Sequence, residues 1–247
     1  MMEGADRIVW TPYCGVAPTP ADYLGRWNLD PLLLAALGLL LAALVWRTDN
    51  GSRRLAIAAV AVLVIGFVSP LCALSSALFS ARTVHHVLLA AVAAPLLAWA
   101  LPRRAARSPA LATLCMAAVF WSWQSPGLYA AALSNDAIYW TMQLTLLGSA
   151  VWFWMTVRAA GTLAGVAALL VAMVQMGLLG ALITFAEAPL YAPHLLTTRP
   201  FGLDALDDQR IGGLIMWAPA AAIYLIAALA ILGRGLGPGP ASAARAP

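Results

Sequence analysis

The chain has 247 residues, 63% of them hydrophobic and 10% charged, against roughly 25% charged in an average soluble domain, so water is not its main solvent. A net charge of +4 does not indicate nucleic-acid binding, because all 14 basic residues are arginines set in short clusters between apolar runs. Cys14, Cys72 and Cys115 are too few and too scattered to predict a disulfide framework, which leaves them as candidate soft ligands.

Residues 1–28 hold acids, prolines and aromatics without a continuous apolar core, so no cleavable signal peptide is expected and the segment reads as an extramembrane N-terminal unit. A helix crossing the hydrocarbon needs about 20 apolar residues with every backbone group paired internally. Seven runs approach this: 29–46, 55–71, 84–101, 111–123, 137–157, 163–185 and 211–232. The second is stopped by Ser69-Pro70 and resumes to Phe79, and the fourth is short unless it continues past Pro126 toward Leu133. Pro95 and Pro219 kink their spans and free a carbonyl that a neighbouring helix must satisfy. The expected fold is all-α, a polytopic seven-transmembrane-helix bundle over 29–233, followed by a Gly/Pro/Ala-rich tail, 234–247, read as disordered.

Alternate loops give the orientation. One side carries Arg47, Arg53, Arg54, Arg103, Arg104, Arg107, Arg158, Arg234 and Arg245; the other carries Arg7, Arg26, Arg82, Arg199 and Arg210. This bias assigns the first set to the cytoplasm, with the N-terminus outside and the C-terminus inside. Of the acidic residues only Asp49 falls on the cytoplasmic side.

Polar and soft groups gather near the outer helix ends. His85 and His86 open the third span, Met142 and Gln143 the fifth, and Met216-Trp217 lie early in the seventh, while Cys72 follows the second. Imidazole, thiolate and thioether select Cu(I), so His86, His85, Cys72, Met142 and Met216 form a candidate copper set. The plainer readings are that interfacial histidines snorkel or hydrogen-bond at the surface, that methionines fill apolar gaps, and that the outer tryptophans form an aromatic belt. Successive helical residues point about 100° apart, so His85 and His86 do not share one inward site without unwinding. Gln175 sits mid-span and is expected to bond a neighbouring helix. No phosphate loop, nucleophile elbow or haem-spaced histidine pair is visible, which argues against an enzyme. A small-solute or metal transporter is a weaker alternative, since Gln175 is nearly the only mid-membrane polar group besides hydroxyls.

Six motifs in order then carry a resemblance: Trp27-Asn28-Leu29-Asp30-Pro31; Ser69-Pro70-Leu71; Phe79-Ser80-Ala81 with His86; Trp121-Ser122-Trp123 with Pro126; Leu179-Gly180-Ala181-Leu182-Ile183-Thr184-Phe185 with Pro189-Leu190-Tyr191; and Asp208-Gln209 with Gly213-Leu214-Ile215-Met216-Trp217. Over about residues 27–233 the chain resembles the CtaG-like family of assembly factors for caa-type cytochrome c oxidase. That resemblance implies a seven-span bacterial inner-membrane protein that delivers copper to the oxidase or otherwise matures it. Its partners would be oxidase subunits and a periplasmic copper chaperone. The family's histidines fall on positions 82, 86, 124 and 143, which here are Arg82, His86, Gln124 and Gln143. Arg82 stands where the first imidazole of a His-x-x-x-His clamp would be and sets a permanent cation one turn from His86. A relative that docks to the oxidase as a structural subunit without metal is the alternative.

Overall fold

Asp30 accepts from the Leu32 N–H at 2.8 Å and, with Pro31 behind it, starts helix α1, Pro31–Arg47. Asp49 does the same for α2, Asn50–Phe67, through the Ser52 N–H at 2.8 Å. The computed structural model describes residues 10, 12–102 and 108–236; among them are nine helices and no strand. Arg7, Arg103, Arg104, Arg107 and Arg245, used above for orientation, lie outside the described residues.

Ser69-Pro70 does not simply interrupt a span. Ser69 caps a separate short helix, α3, Pro70–Ala77, and Leu78 is extended before α4, Phe79–Ala100, begins five residues ahead of the expected start at 84. The fourth run likewise divides, into α5, Pro109–Trp123, and α6, Pro126–Ala132. Then come α7, Asp136–Ala159, capped by Asn135, α8, Thr162–Thr184, and α9, Ala205–Gly235. The last helix continues through Leu236, so residues 234–236 of the expected disordered tail are helical, and the rest of that tail lies outside the described residues.

Pro95 and Pro219 are accommodated by π-helical turns over Leu88–Ala93 and Met216–Ala220 rather than by simple kinks. In the first, the Ala94 N–H reaches back five residues to the Leu89 carbonyl. The next bond in that pattern would join Pro95 to Ala90, and proline has no N–H to give. The Trp154 indole of α7 donates to the Ala90 carbonyl instead, at 2.8 Å.

Four helices, α2, α4, α8 and α9, are long and apolar enough to cross a membrane. The apolar α1 and α5 are shorter, at 17 and 15 residues, and α7 has 24. Of the four, α4 is 61% buried, against 33%, 39% and 22% for α2, α8 and α9, which makes it the central helix. It packs on α2, α3, α7 and α9, with α8 against α9 and α5. Large apolar side chains such as Leu32, Leu39, Trp46, Leu163 and Ile226 point outward, an arrangement suited to lipid rather than water.

The α8–α9 seam depends on glycine. A Cβ on Gly180 would lie 2.7 Å from the Gly213 carbonyl, and one on Gly213 would lie 2.7 Å from the Gly180 carbonyl and collide with the Thr184 hydroxyl. Gly180, Thr184 and Gly213 belong to two of the six motifs, so this part of the resemblance encodes backbone approach.

Candidate functional site: a buried polar cluster at one end of the bundle

The ends of α2 and α5, the starts of α4, α7 and α9, and the segment 185–204 meet at one end of the bundle, and the motifs at Phe79, at residues 179–191 and at Asp208 are bonded to one another there. Asn28 donates its N–H to the Val68 carbonyl at 2.9 Å and its side-chain amide to the Phe67 carbonyl at 3.2 Å. Asp208, at the start of α9, accepts from the Phe79 N–H at 2.6 Å, and from the Ser80 N–H and hydroxyl, which caps α4 from a distant part of the chain. Gln209 beside it accepts from the Leu190 N–H at 2.6 Å and donates to the Ile183 carbonyl at 3.1 Å. Trp121 donates to Gln175 at 3.0 Å, so the expected interhelical partner of Gln175 is found on α5.

The segment 185–204 folds over this network. Tyr191 donates to the Gln124 carbonyl at 3.1 Å and stacks on Phe79 with ring centroids 4.1 Å apart. Gly202, at a φ of 73°, makes the left-handed turn that leads into α9. His194, expected only as a loop histidine, is buried. Its Nδ1 faces the Ala77 carbonyl at 3.2 Å and its Nε2 faces the Tyr129 hydroxyl at 2.6 Å. A carbonyl only accepts, so Nδ1 carries the proton and Nε2 accepts from the phenol, which is the neutral imidazole. Burial, then the Arg82 charge, push its pKa down to about 3, against the raising effect of the Ala77 bond.

Arg82 lies at the centre and is 1% exposed. Its guanidinium carbon is 5.9 Å from the centroid of the Tyr129 ring and 5.6 Å from that of Tyr139, and Nε donates to the Ser75 carbonyl at 3.1 Å. Nη1 and Nη2 have no well-formed hydrogen bond. The ion pairs among the described residues, Arg26–Asp22 and Arg210–Asp207, are exposed and do not include it. Two cation–π contacts give about 0.5–2 kcal/mol each, whereas desolvating a cation costs several kcal/mol, so Arg82 remains under-compensated. Tyr139 and Gln143 share a face of α7 one turn apart, as Arg82 and His86 do on α4, so the Arg82–Tyr139 contact brings the two faces together. Gln124 and Gln143, which stand at two of the resemblance's histidine positions, are buried as well.

The candidate copper set loses Cys72. Cys72 is bonded to Cys14, with Cα atoms 5.3 Å apart, so its sulfur is not a thiolate; this corrects the expectation that the cysteines serve only as soft ligands. The pairing escaped notice because the partners are 58 residues apart and meet only when α1 and α2 fold back on each other. His85 and His86 are buried rather than snorkelling. Their rings diverge as the helical geometry requires, with His85 edge-on to Phe67 at 4.8 Å and against Gly66. Met142 and Met216 lie in the continuous apolar core. Among the described residues no group of three or more His, Cys, Asp or Glu side chains is arranged to hold a metal ion. With one sulfur oxidised and a fixed cation one turn from His86, the donor set does not fit copper.

The sequence model of the cytochrome c oxidase caa3 assembly factor family, Caa3_CtaG, matches residues 39–236. The chain belongs to this family. No curated protein and no solved structure matches it. In this caa3 assembly factor family member, the polar side chains of the cluster come from α4, α6, α7 and α9, from Gln124 at the end of α5 and from the segment before α9. The cluster brings together a buried cation, buried amides and the hydrogen-bonded Tyr129–His194 pair.

The disulfide also fixes the N-terminal segment over this end. Tyr13 stacks on Tyr139 with centroids 5.1 Å apart and donates to Asp30 at 2.5 Å. Beside it, a groove of about 550 Å³ between α1, α2 and α7 runs from Asp30 and Asp136 down an apolar wall to Leu147, with Gln143 in its lining.

Proposed function

We propose that this chain is a non-enzymatic assembly or accessory factor for a haem-copper cytochrome c oxidase, working from the outer face of the bacterial inner membrane. In this reading the ordered end formed by the N-terminal segment and residues 185–204 docks an oxidase subunit or a periplasmic copper chaperone, and the buried cluster does not itself carry copper. The observation that carries the proposal is family membership across 39–236 together with a family-motif network concentrated at that one end.

Seven spans are part of the reading. A disulfide between positions 14 and 72 requires an even number of crossings between them, so α1 must cross if α2 does. At the opposite end Arg158, near the end of α7, donates to the carbonyls of Ala98 at 2.7 Å and Leu101 at 2.9 Å, just where α4 finishes, which supports antiparallel crossings by α4 and α7. Tyr191 on the Gln124 carbonyl supports a crossing by α5 in the same way. The orientation, N-terminus outside and C-terminus in the cytoplasm, is supported by Arg47, Arg53, Arg54, Arg158 and Arg234 at the far end and by a disulfide that needs an oxidising compartment.

The test is affinity purification from native membranes combined with metal analysis of the isolated chain and of His86→Ala. Co-purifying oxidase subunits with no copper above background support the docking reading. Stoichiometric copper that disappears in His86→Ala would establish a donor instead, and absence of oxidase subunits under conditions that preserve the oxidase would overturn both.

A further inference from the structure

A guanidinium has five N–H donors, and the four on Nη1 and Nη2 of Arg82 are buried without a well-formed hydrogen bond, the Tyr129 hydroxyl making only a weak contact with the guanidinium. Buried polar atoms without a well-formed hydrogen bond lie nearby: Nε2 of His86 one turn along α4, and the amide of Gln143, which touches the Tyr139 hydroxyl, on α7. The carboxylate of Asp208 forms no ion pair with Arg82, its oxygens being turned to the Phe79 N–H and to Ser80. Water would satisfy hydrogen bonds here but not the charge, and a metal ion would add a second cation. We propose that Arg82 is the anchor of an anion site that takes one small planar oxyanion of the carboxylate class, such as formate, acetate or bicarbonate.

The shape of the donor selects that class. The paired Nη groups form a fork that matches two oxygens on one carbon, a match a spherical halide does not offer. The amide of Gln143 supplies a further donor, and the Tyr129 and Tyr139 rings, with centroids within 6 Å of the guanidinium carbon, restrict the proposed ligand to a few heavy atoms. The site is independent of whether the chain docks to an oxidase.

The experiment uses the full chain in nanodiscs, in HEPES free of other small anions, with radiolabelled formate in equilibrium dialysis and thermal unfolding alongside. The parent is expected to bind one formate per chain, displaced by acetate and bicarbonate but not by chloride, and its unfolding midpoint is expected to rise saturably with formate. Arg82→Met is expected to lose binding and show a flat midpoint, starting no lower than the parent in anion-free buffer because an unpaired charge has been removed. Arg82→Lys keeps the charge without the fork and is expected to bind about tenfold more weakly. No formate bound by the parent, equal binding by Arg82→Met, or chloride competing as well as acetate would each overturn the proposal. If Arg82→Met fails to fold, the parent titration and Arg82→Lys still decide it.

Discussion

The indole of Trp154 donates to the carbonyl of Ala90, filling the hydrogen bond that Pro95 is unable to make inside the π-turn of α4. The same indole stacks on Tyr224 of α9, with centroids 5.6 Å apart and planes 9° from parallel. Trp154→Phe keeps an aromatic ring and removes only the donor. It is expected to lower stability by about 1–3 kcal/mol, the cost of a buried carbonyl left without a partner. Thermal or denaturant unfolding in detergent reads the change, and an unaltered midpoint would mean water replaces the indole.

Thiol counting checks the disulfide. Under denaturing, non-reducing conditions one thiol per chain, Cys115, is expected to react with a maleimide, rising to three after reduction. Closing a loop of 58 residues contributes about 4 kcal/mol in the chain-entropy account, so Cys14→Ser is expected to be clearly less stable.

His194 makes stability depend on acid. Its pKa in the fold is about 3 against 6.5 for the free side chain, so the unfolded chain binds the proton first. Its contribution is complete above about pH 6.5 and drains away as pH falls toward 3, at up to about 1.4 kcal/mol per pH unit. His194→Gln is expected to flatten that part of the stability–pH curve relative to the parent, and identical slopes would contradict the buried neutral imidazole.

The glycine seam is testable against a built-in control. Gly213→Ala is expected to destabilise by about 1–3 kcal/mol through forced separation of α8 and α9. Gly148→Ala, whose added methyl meets nothing within 4 Å, is expected to be neutral or stabilising by about 0.5–1 kcal/mol.

Arg82→His restores the His-x-x-x-His pair with His86 on one face of α4. It is expected to retain a transition metal through purification where the parent retains none, as read by elemental analysis. An equally metal-free variant would mean that Gln124 and Gln143 have removed too many ligands for the clamp to suffice.

Much of this was readable from residues alone. The apolar runs located the helices, Gln175 announced an interhelical partner, and the motifs at Phe79, at residues 179–191 and at Asp208 pointed to the end of the bundle where they interlock. What escaped was set by tertiary return of the chain. Nothing local tells Cys14 that Cys72 will be its neighbour, or tells His194 that a buried phenol awaits it. Ser69-Pro70 and Pro126 were visible as breaks, but whether the chain resumes as a new helix depends on the Ser69 cap and on packing against α4 and α7. Arg82 was visible as a cation beside His86, while its lack of a counter-charge depends on Asp208 being engaged elsewhere.

That engagement has a consequence in time. Asp208 is made 129 residues after Phe79, so every helix through α8 is synthesised before α4 receives its cap. Until then the central helix carries bare N–H groups at its start, and a product cut short before the last helix keeps them bare. The start of α4 is thus finished only by the arrival of α9, and any copy lacking that helix exposes an uncapped end on the most buried helix of the bundle.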